Sequence, residues 1–117
     1  MDFDHEKLDV YRVAIDFVAL ADTVVEQLPR GRGYLADQLQ RAATSIPLNL
    51  AEGAGEFSPG EKARFYRMAK RSATECAAIL DVGLRLAITS AEAHSVGRDL
   101  LLRLVSMLIS MARRVSA

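Results

Sequence analysis

The sequence predicts an all-α fold, an antiparallel up-down four-helix bundle that forms one domain over residues 1–117. Apolar residues recur at helical spacing in four long segments, and no segment shows the two-residue alternation of a β-strand. The connections between the four segments are short, and short connections make neighbouring helices antiparallel. With 117 residues, half of them apolar, the chain is long enough to bury one modest core.

The first two predicted helices are separated by the sequence LPRGRG, in which a proline and two glycines end the helical pattern. The first helix runs from about Glu6 to Leu28, and the second from about Tyr34 to Glu56. The second helix contains Pro47. We expect a kink there, because an interior proline removes a backbone donor and clashes with the carbonyl group four residues earlier.

The third and fourth helices begin at sequences typical of helix N-termini. In SPGE, Ser58 is the predicted N-cap, the proline takes the first helical position and the glutamate completes a capping box. This helix continues to about Ile88. In TSAE, Thr89 is the predicted cap and Glu92 reaches back to it, which starts a fourth helix that runs to about Val115.

Helices one and four are apolar over more of their surface than a single core requires. On helix four the polar residues form one narrow strip, and about two-thirds of the circumference is apolar. Helix one has a similarly wide apolar face. In a monomer these faces would expose an apolar patch of the kind that marks an interface. We therefore expect the chain to assemble with itself through helices one and four; the alternative is a monomer with unusually apolar helices.

Helix two has a narrow apolar stripe with a polar ribbon along one edge. The stripe consists of Leu35, Leu39, Ala42, Ile46, Leu50 and Phe57. The ribbon consists of Gln38, Arg41, Ser45, Asn49 and Glu52. Residues three and four apart are neighbours on a helix, so these side chains can contact one another, and Ser45 can bond to the carbonyl of Arg41. We expect a buried or half-buried polar network that joins helix two to helix three, with Glu75 as one partner; the alternative is that the ribbon binds a partner in a groove between subunits.

No pattern in the sequence predicts catalysis, a cofactor or a metal site. A di-iron bundle needs Glu-x-x-His pairs, and neither of the two histidines has a glutamate three residues before it. Cys76 has no histidine at helical spacing and fits a small core residue better than a nucleophile. Gly53 and Gly55 fit the fraying end of helix two better than a phosphate cradle. We expect no enzyme activity; the alternative is a structural oligomer with an unrecognised small-molecule or enzymatic site.

Helix three carries a cluster of basic residues that is a candidate binding face. The cluster consists of Lys62, Arg64, Arg67, Lys70 and Arg71. In an oligomer the cluster would repeat once per subunit and could give salt-sensitive binding to nucleic acid. In a monomer it would be an ordinary solvated face. The formal net charge of the chain is zero, so bulk electrostatics does not favour a nucleic-acid partner.

The N-terminal and cysteine composition predicts a cytoplasmic protein with no membrane partner. The first nine residues, MDFDHEKLD, lack the basic start and apolar core of a signal peptide. The longest apolar run, residues 100–112, is interrupted by polar side chains and is too short to span a bilayer. A single cysteine gives no internal disulfide.

Three segments resemble the four-helix bundle proteins associated with intervening sequences of bacterial 23S ribosomal RNA genes, a family that includes the accessory protein of diversity-generating retroelements. The segments are KLDVYRVA at residues 7–14, GYLADQLQRAATSIPLNLAEG at residues 33–53 and RFYRMAKRSATE at residues 64–75. The resemblance implies a homopentameric ring of four-helix bundles with no established role. In the retroelement branch it implies binding of a reverse transcriptase and nucleic acid through a basic surface, which suits an interaction or adaptor protein.

Overall fold

The computed structural model describes residues 1–116, in which a short 3₁₀ turn precedes four α-helices. The turn spans Asp4–Lys7, and the helices are α1 (Asp9–Gln27), α2 (Gly33–Gly55), α3 (Pro59–Arg85) and α4 (Ala91–Ser116). No strand occurs in this part of the chain, so the predictions of an all-α fold and of four helices are confirmed. None of the described helices has an apolar stretch long enough to cross a membrane.

The core draws large side chains from all four helices. Helix α3 packs against α2 and α4, and α1 packs against the same two helices; within the described residues no Cα atom of α1 lies within 8 Å of one of α3. The largest side chains with less than 2% exposure are Phe17, Leu39, Ile46, Leu50, Leu80, Leu104, Leu108 and Cys76. The core position predicted for Cys76 is therefore confirmed.

Helix α1 begins at Asp9, later than the expected start at Glu6. Leu8 has an extended backbone, with φ −90° and ψ 126°, and separates the 3₁₀ turn from the helix. At the other end Leu28 is again extended, with φ −68° and ψ 136°, so the helix ends at Gln27.

The N-terminus of α3 is capped as predicted, but its capping box is only half formed. The Ser58 hydroxyl accepts a hydrogen bond from the backbone N–H of Glu61 at 3.4 Å. The Glu61 carboxylate accepts from the Arg64 guanidinium at 2.9 Å instead of reaching back to the cap. The ion pair with Arg64 competes for the side chain that the capping box needs.

The cap of α4 is Ser90, and the prediction of Thr89 was wrong. The Ser90 hydroxyl accepts from the backbone N–H of Ala93 at 3.1 Å. Thr89 is only 8% exposed and occupies the space beside Gly83, where a Cβ would collide with the threonine hydroxyl. A threonine buried in this way cannot turn towards the helix it precedes.

Helix α3 ends at Arg85, before the expected end at Ile88, because the backbone reverses at Ala87. Ala87 has φ 60°, the left-handed conformation common just after a helix C-terminus. The backbone N–H groups of Ile88 and Thr89 then donate to the carbonyl of Gly83 at 3.0 and 3.1 Å. These bonds satisfy a carbonyl group that the end of a helix leaves free.

Helix α2 continues as an α-helix through Pro47. The proline is buried, as are five residues of the predicted apolar stripe: Leu35, Leu39, Ala42, Ile46 and Leu50. The prediction was wrong for one residue of that stripe, Phe57, which is fully exposed. The helix ends at Gly55, and Glu56, with φ −77° and ψ 143°, carries the chain away from the face on which Phe57 would have continued.

Gly53 lies at a close approach between α2 and α3, and its assignment to a fraying end was wrong. It is buried, and a Cβ built on it would lie 2.8 Å from Cε1 of Tyr66 and 3.0 Å from Cβ of Phe65. A Cβ on Gly55, by contrast, would meet no atom within 4 Å. The first of these two glycines therefore sets the distance between the helices.

We predict that Gly53→Ala destabilises the protein by about 1–3 kcal/mol, because the added methyl group overpacks a contact with a buried ring. The matched control is Gly55→Ala, which adds the same atom in open space and should leave stability unchanged or raise it by up to about 1 kcal/mol. Urea denaturation followed by circular dichroism measures both. Equal effects of the two substitutions would contradict the close approach at Gly53.

Candidate functional site

In the middle of the polar ribbon of α2, two side chains form a hydrogen-bonded cluster with a side chain of α3. The hydroxyl groups of Ser45 and Ser72 are 2.8 Å apart across the two helices. The Asn49 amide donates to the carbonyl and to the hydroxyl of Ser45, both at 2.8 Å. All three side chains are half-buried. We call Ser45, Asn49 and Ser72 the polar cluster; its hydrogen bonds cross from one helix to the other.

Only two of the six side chains expected in this network take part. Gln38, Arg41, Glu52 and Glu75 are exposed, and in residues 1–116 their side chains make no hydrogen bond or ion pair. Helical spacing placed them on the correct edge of α2, but it did not distinguish positions that meet α3 from positions that face water. Sequence reasoning also missed Ser72 as a member, although it stands in the third segment of the family resemblance.

The hydroxyl that bonds back into α2 belongs to Thr44, whereas Ser45 was expected to do so. Thr44 Oγ1 donates to the carbonyl groups of Gln40 at 2.8 Å and Arg41 at 3.2 Å. Ser45 is held by Asn49 and Ser72 instead. The bonds from Thr44 lie one turn before Pro47, where the ladder of backbone hydrogen bonds is already interrupted because proline has no N–H.

Lys62 lies apart from the other basic residues of α3. Its Nζ donates to the carbonyl groups of Gly53 and Ala54, both at 2.9 Å, and its side chain is half-buried. A cation at the C-terminus of a helix satisfies free carbonyl groups and interacts favourably with the helix dipole. Lys62 therefore closes the end of α2.

The outer face of α3 carries three arginines that we call the α3 basic stripe: Arg64, Arg67 and Arg71. All three are exposed. The guanidinium of Arg64 pairs with Glu61 at 2.9 Å and lies 4.6 Å from the centroid of the Phe65 ring. The hydrogen bond from Arg64 to Glu61 raises the pKa of the arginine. Arg67 and Arg71 form no ion pair in the described part of the chain.

Within residues 1–116, Cys76 and His94 are the two titratable side chains considered for nucleophilic or metal chemistry, and both lie in structural surroundings. Burial, and secondarily the charge of Glu75, raises the pKa of the Cys76 thiol to about 12. The thiol is therefore protonated at neutral pH and is a poor nucleophile. His94 Nε2 lies 2.7 Å from Asp81 Oδ1, which joins the start of α4 to the end of α3. Within residues 1–116 no group of three or more His, Cys, Asp or Glu side chains is arranged to hold a metal ion.

Together these features define a class of protein: an all-α chain of four packed helices, in which the most conspicuous polar residues join helices to one another. Comparison with protein families narrows the class further. A family model described as 23S rRNA-intervening sequence protein matches residues 6–110, and the chain belongs to this family. The family resemblance identified in the sequence is thereby confirmed. A search of curated proteins found no match to the chain.

We predict that Asn49→Ala lowers the free energy of unfolding by about 1–3 kcal/mol, because it removes two hydrogen bonds from a half-buried cluster. Glu52→Ala is the control on the same edge of α2, and it should change stability by no more than about 0.5 kcal/mol because Glu52 is exposed and outside the polar cluster. Thermal and urea unfolding test both variants. A larger loss for Glu52→Ala would contradict the placement of the cluster.

Proposed function

We propose that the protein is a non-enzymatic homo-oligomer that acts as an interaction or adaptor protein. The observation that supports self-assembly most strongly is the exposure of large apolar side chains on α1 and α4. Ile15 on α1 is 44% exposed and Leu102 on α4 is 55% exposed, and each has partly buried apolar neighbours on the same helix. Apolar side chains grouped in this way are typical of protein interfaces.

Each subunit of the proposed assembly is an antiparallel four-helix bundle. Two contacts between α2 and α3 support this arrangement. Near the start of α3, Lys62 contacts Gly53, which lies near the end of α2. Ten residues further along α3, Ser72 contacts Ser45, which lies eight residues earlier on α2 than Gly53. Contacts that advance on one helix while they recede on the other fit helices of opposite direction.

The number of subunits in the proposal is five, arranged as a ring. This number rests on the family resemblance of the sequence, to which the family match adds support. The wide apolar faces of α1 and α4 fit such a ring, because a subunit in a ring uses two different surfaces to contact its two neighbours.

The proposed partner is nucleic acid or a nucleic-acid-handling protein, bound through the α3 basic stripe. Arg71 supports it most directly, since it is exposed and has no ion-pair partner within the described residues. Assembly would repeat the stripe on every subunit and multiply the phosphate contacts. A cytoplasmic location is part of the proposal and suits a chain whose one cysteine is a buried, free thiol.

We predict that the wild-type protein elutes as an oligomer at micromolar concentration and that Leu102→Glu weakens its assembly about tenfold or more, because the substitution places a charge in an apolar contact. The control is Leu48→Glu, a substitution of a leucine of α2 that is 64% exposed. Size-exclusion chromatography with multi-angle light scattering gives the masses. A wild-type monomer would contradict the proposed assembly.

For nucleic-acid binding, the matched variants are a stripe variant with Arg64, Arg67 and Arg71 changed to Gln and a control with Arg12, Arg30 and Arg103 changed to Gln. Each removes three exposed arginine charges. We predict that the stripe variant binds a fluorescent single-stranded RNA at least about tenfold more weakly than the control variant at 50 mM salt. Its binding should also depend less steeply on salt than that of the control, because fewer counterions are released. Fluorescence anisotropy measures both effects. Equal binding by the two variants would contradict the role of the stripe.

A further inference from the structure

A long groove between α3 and α4 runs along the outside of the protein. Two adjoining cavities of about 260 and 200 Å³ mark its length, and the residues that line them follow one another along both helices. Its apolar side chains are Leu101, Leu102, Val105, Leu108, Ile109 and Ala112. We call this surface the α3/α4 groove.

Every charged side chain that lines the α3/α4 groove is a cation. These are Arg67, Lys70, Arg98 and Arg113, and none of the four forms an ion pair within residues 1–116. Between Arg98 and Arg113 the α4 side of the groove is about 22 Å long, at 1.5 Å per residue. The groove therefore combines apolar contact area with unneutralised positive charge over about four helical turns.

The opposite charge lies on the outer face of α1. Asp16, Asp22 and Glu26 are exposed there, and in the described part of the chain none of them is paired with a cation. Ile15, 44% exposed, and the exposed Ala19 lie on the same face. We call these five residues the α1 acidic face. The only basic residue of α1, Arg12, is already paired with Asp9 at 3.3 Å.

These two surfaces match in length and in chemistry. The α1 acidic face extends over 12 residues, about 17 Å of helix, and fits within the groove. It offers two apolar side chains and three acids on one side of a helix to a groove that has an apolar floor and a basic rim. An amphipathic helix in a groove is a common mode of protein recognition, and complementary charge gives it orientation and specificity.

The two surfaces cannot meet within one copy of the chain. Helix α1 packs against α2 and α4, and in the described residues none of its Cα atoms lies within 8 Å of a Cα atom of α3. Its acidic side chains are exposed, so they point away from the core that these helices share. Any contact between the α1 acidic face and the α3/α4 groove is therefore a contact between two copies.

We propose that the α1 acidic face of one copy binds in the α3/α4 groove of the next copy, so that the protein assembles head to tail. The proposal rests on the homo-oligomer proposed above and specifies its interface. Two different surfaces meet in this contact, so each copy keeps one free groove and one free α1 face until a ring closes. A symmetric contact of α1 with α1, or of groove with groove, would bring like charges together.

A charge-swap experiment on the full chain tests this interface. The face variant carries Asp16→Lys, Asp22→Lys and Glu26→Lys, and the groove variant carries Lys70→Glu, Arg98→Glu and Arg113→Glu. Each variant alone should assemble at least about 100-fold more weakly than the wild type, because like charges then meet across the contact. An equimolar mixture should recover assembly, since each variant complements the other.

The mixture also has a signature in its size. The two variants must alternate, so the mixed assembly holds equal numbers of both and cannot form a ring of five. Sedimentation velocity and light scattering give the mass, and an affinity tag on one variant shows that the other is retained with it. A control with Arg30→Glu, Arg85→Glu and Arg103→Glu makes the same change in net charge outside the groove and should assemble like the wild type.

The outcomes separate the interface from the assembly itself. If the wild type is an oligomer and either variant still assembles as the wild type does, the head-to-tail contact is wrong and the homo-oligomer stands. If the folded variants remain monomeric when mixed, the contact is also wrong. A monomeric wild type overturns both proposals. Should a triple variant not fold, the wild type alone decides: its assembly should weaken as salt rises from 0.05 to 0.5 M, about the range over which exposed charges become screened, and salt-independent assembly would overturn the contact.

Discussion

Pro47 deprives α2 of one backbone hydrogen bond at a buried position, and the contacts around it join this weakened part of the helix to α3. Two residues before the proline, Ser45 meets Ser72 across the two helices. Further along, the helices approach so closely at Gly53 that no side chain fits there, and Lys62 closes the end of α2. The rest of the fold depends on this contact between α2 and α3, because α3 also packs against α4.

The same contacts give the segment around Pro47, residues 41–53, a structural role. Three of its polar side chains are bonded within the fold, Ser45 and Asn49 in the polar cluster and Thr44 to the backbone of α2, and a hydrogen-bonded polar cluster favours one packing arrangement over others. The surfaces that remain available for interaction lie elsewhere, on the outer sides of α1, α3 and α4. There, exposed apolar side chains lie beside charges of one sign, most of which form no ion pair within residues 1–116. Function, in this account, comes from assembly and surface charge.

Helical periodicity and capping residues were sufficient to predict the four helices, the capping serine of α3 and the burial of Cys76. They failed at positions whose role is set by contacts between helices. Thr89 is a good N-cap by composition, but the space beside Gly83 takes its side chain and leaves Ser90 to cap α4. The role of Gly53 depends on the ring of Tyr66, which no pattern within α2 can show. Likewise, spacing found the polar edge of α2, whereas its partner Ser72 lies 27 residues away in the sequence.

The polar cluster holds α2 and α3 together through the bond between Ser45 and Ser72, and a double-mutant cycle between these two residues measures its contribution. Ser45→Ala, Ser72→Ala and the double variant would be compared with the wild type by urea denaturation. The account predicts a coupling free energy of about 0.5–1.5 kcal/mol, because either single substitution already removes the hydrogen bond that joins the helices. Strict additivity of the two substitutions, with no coupling, would contradict it.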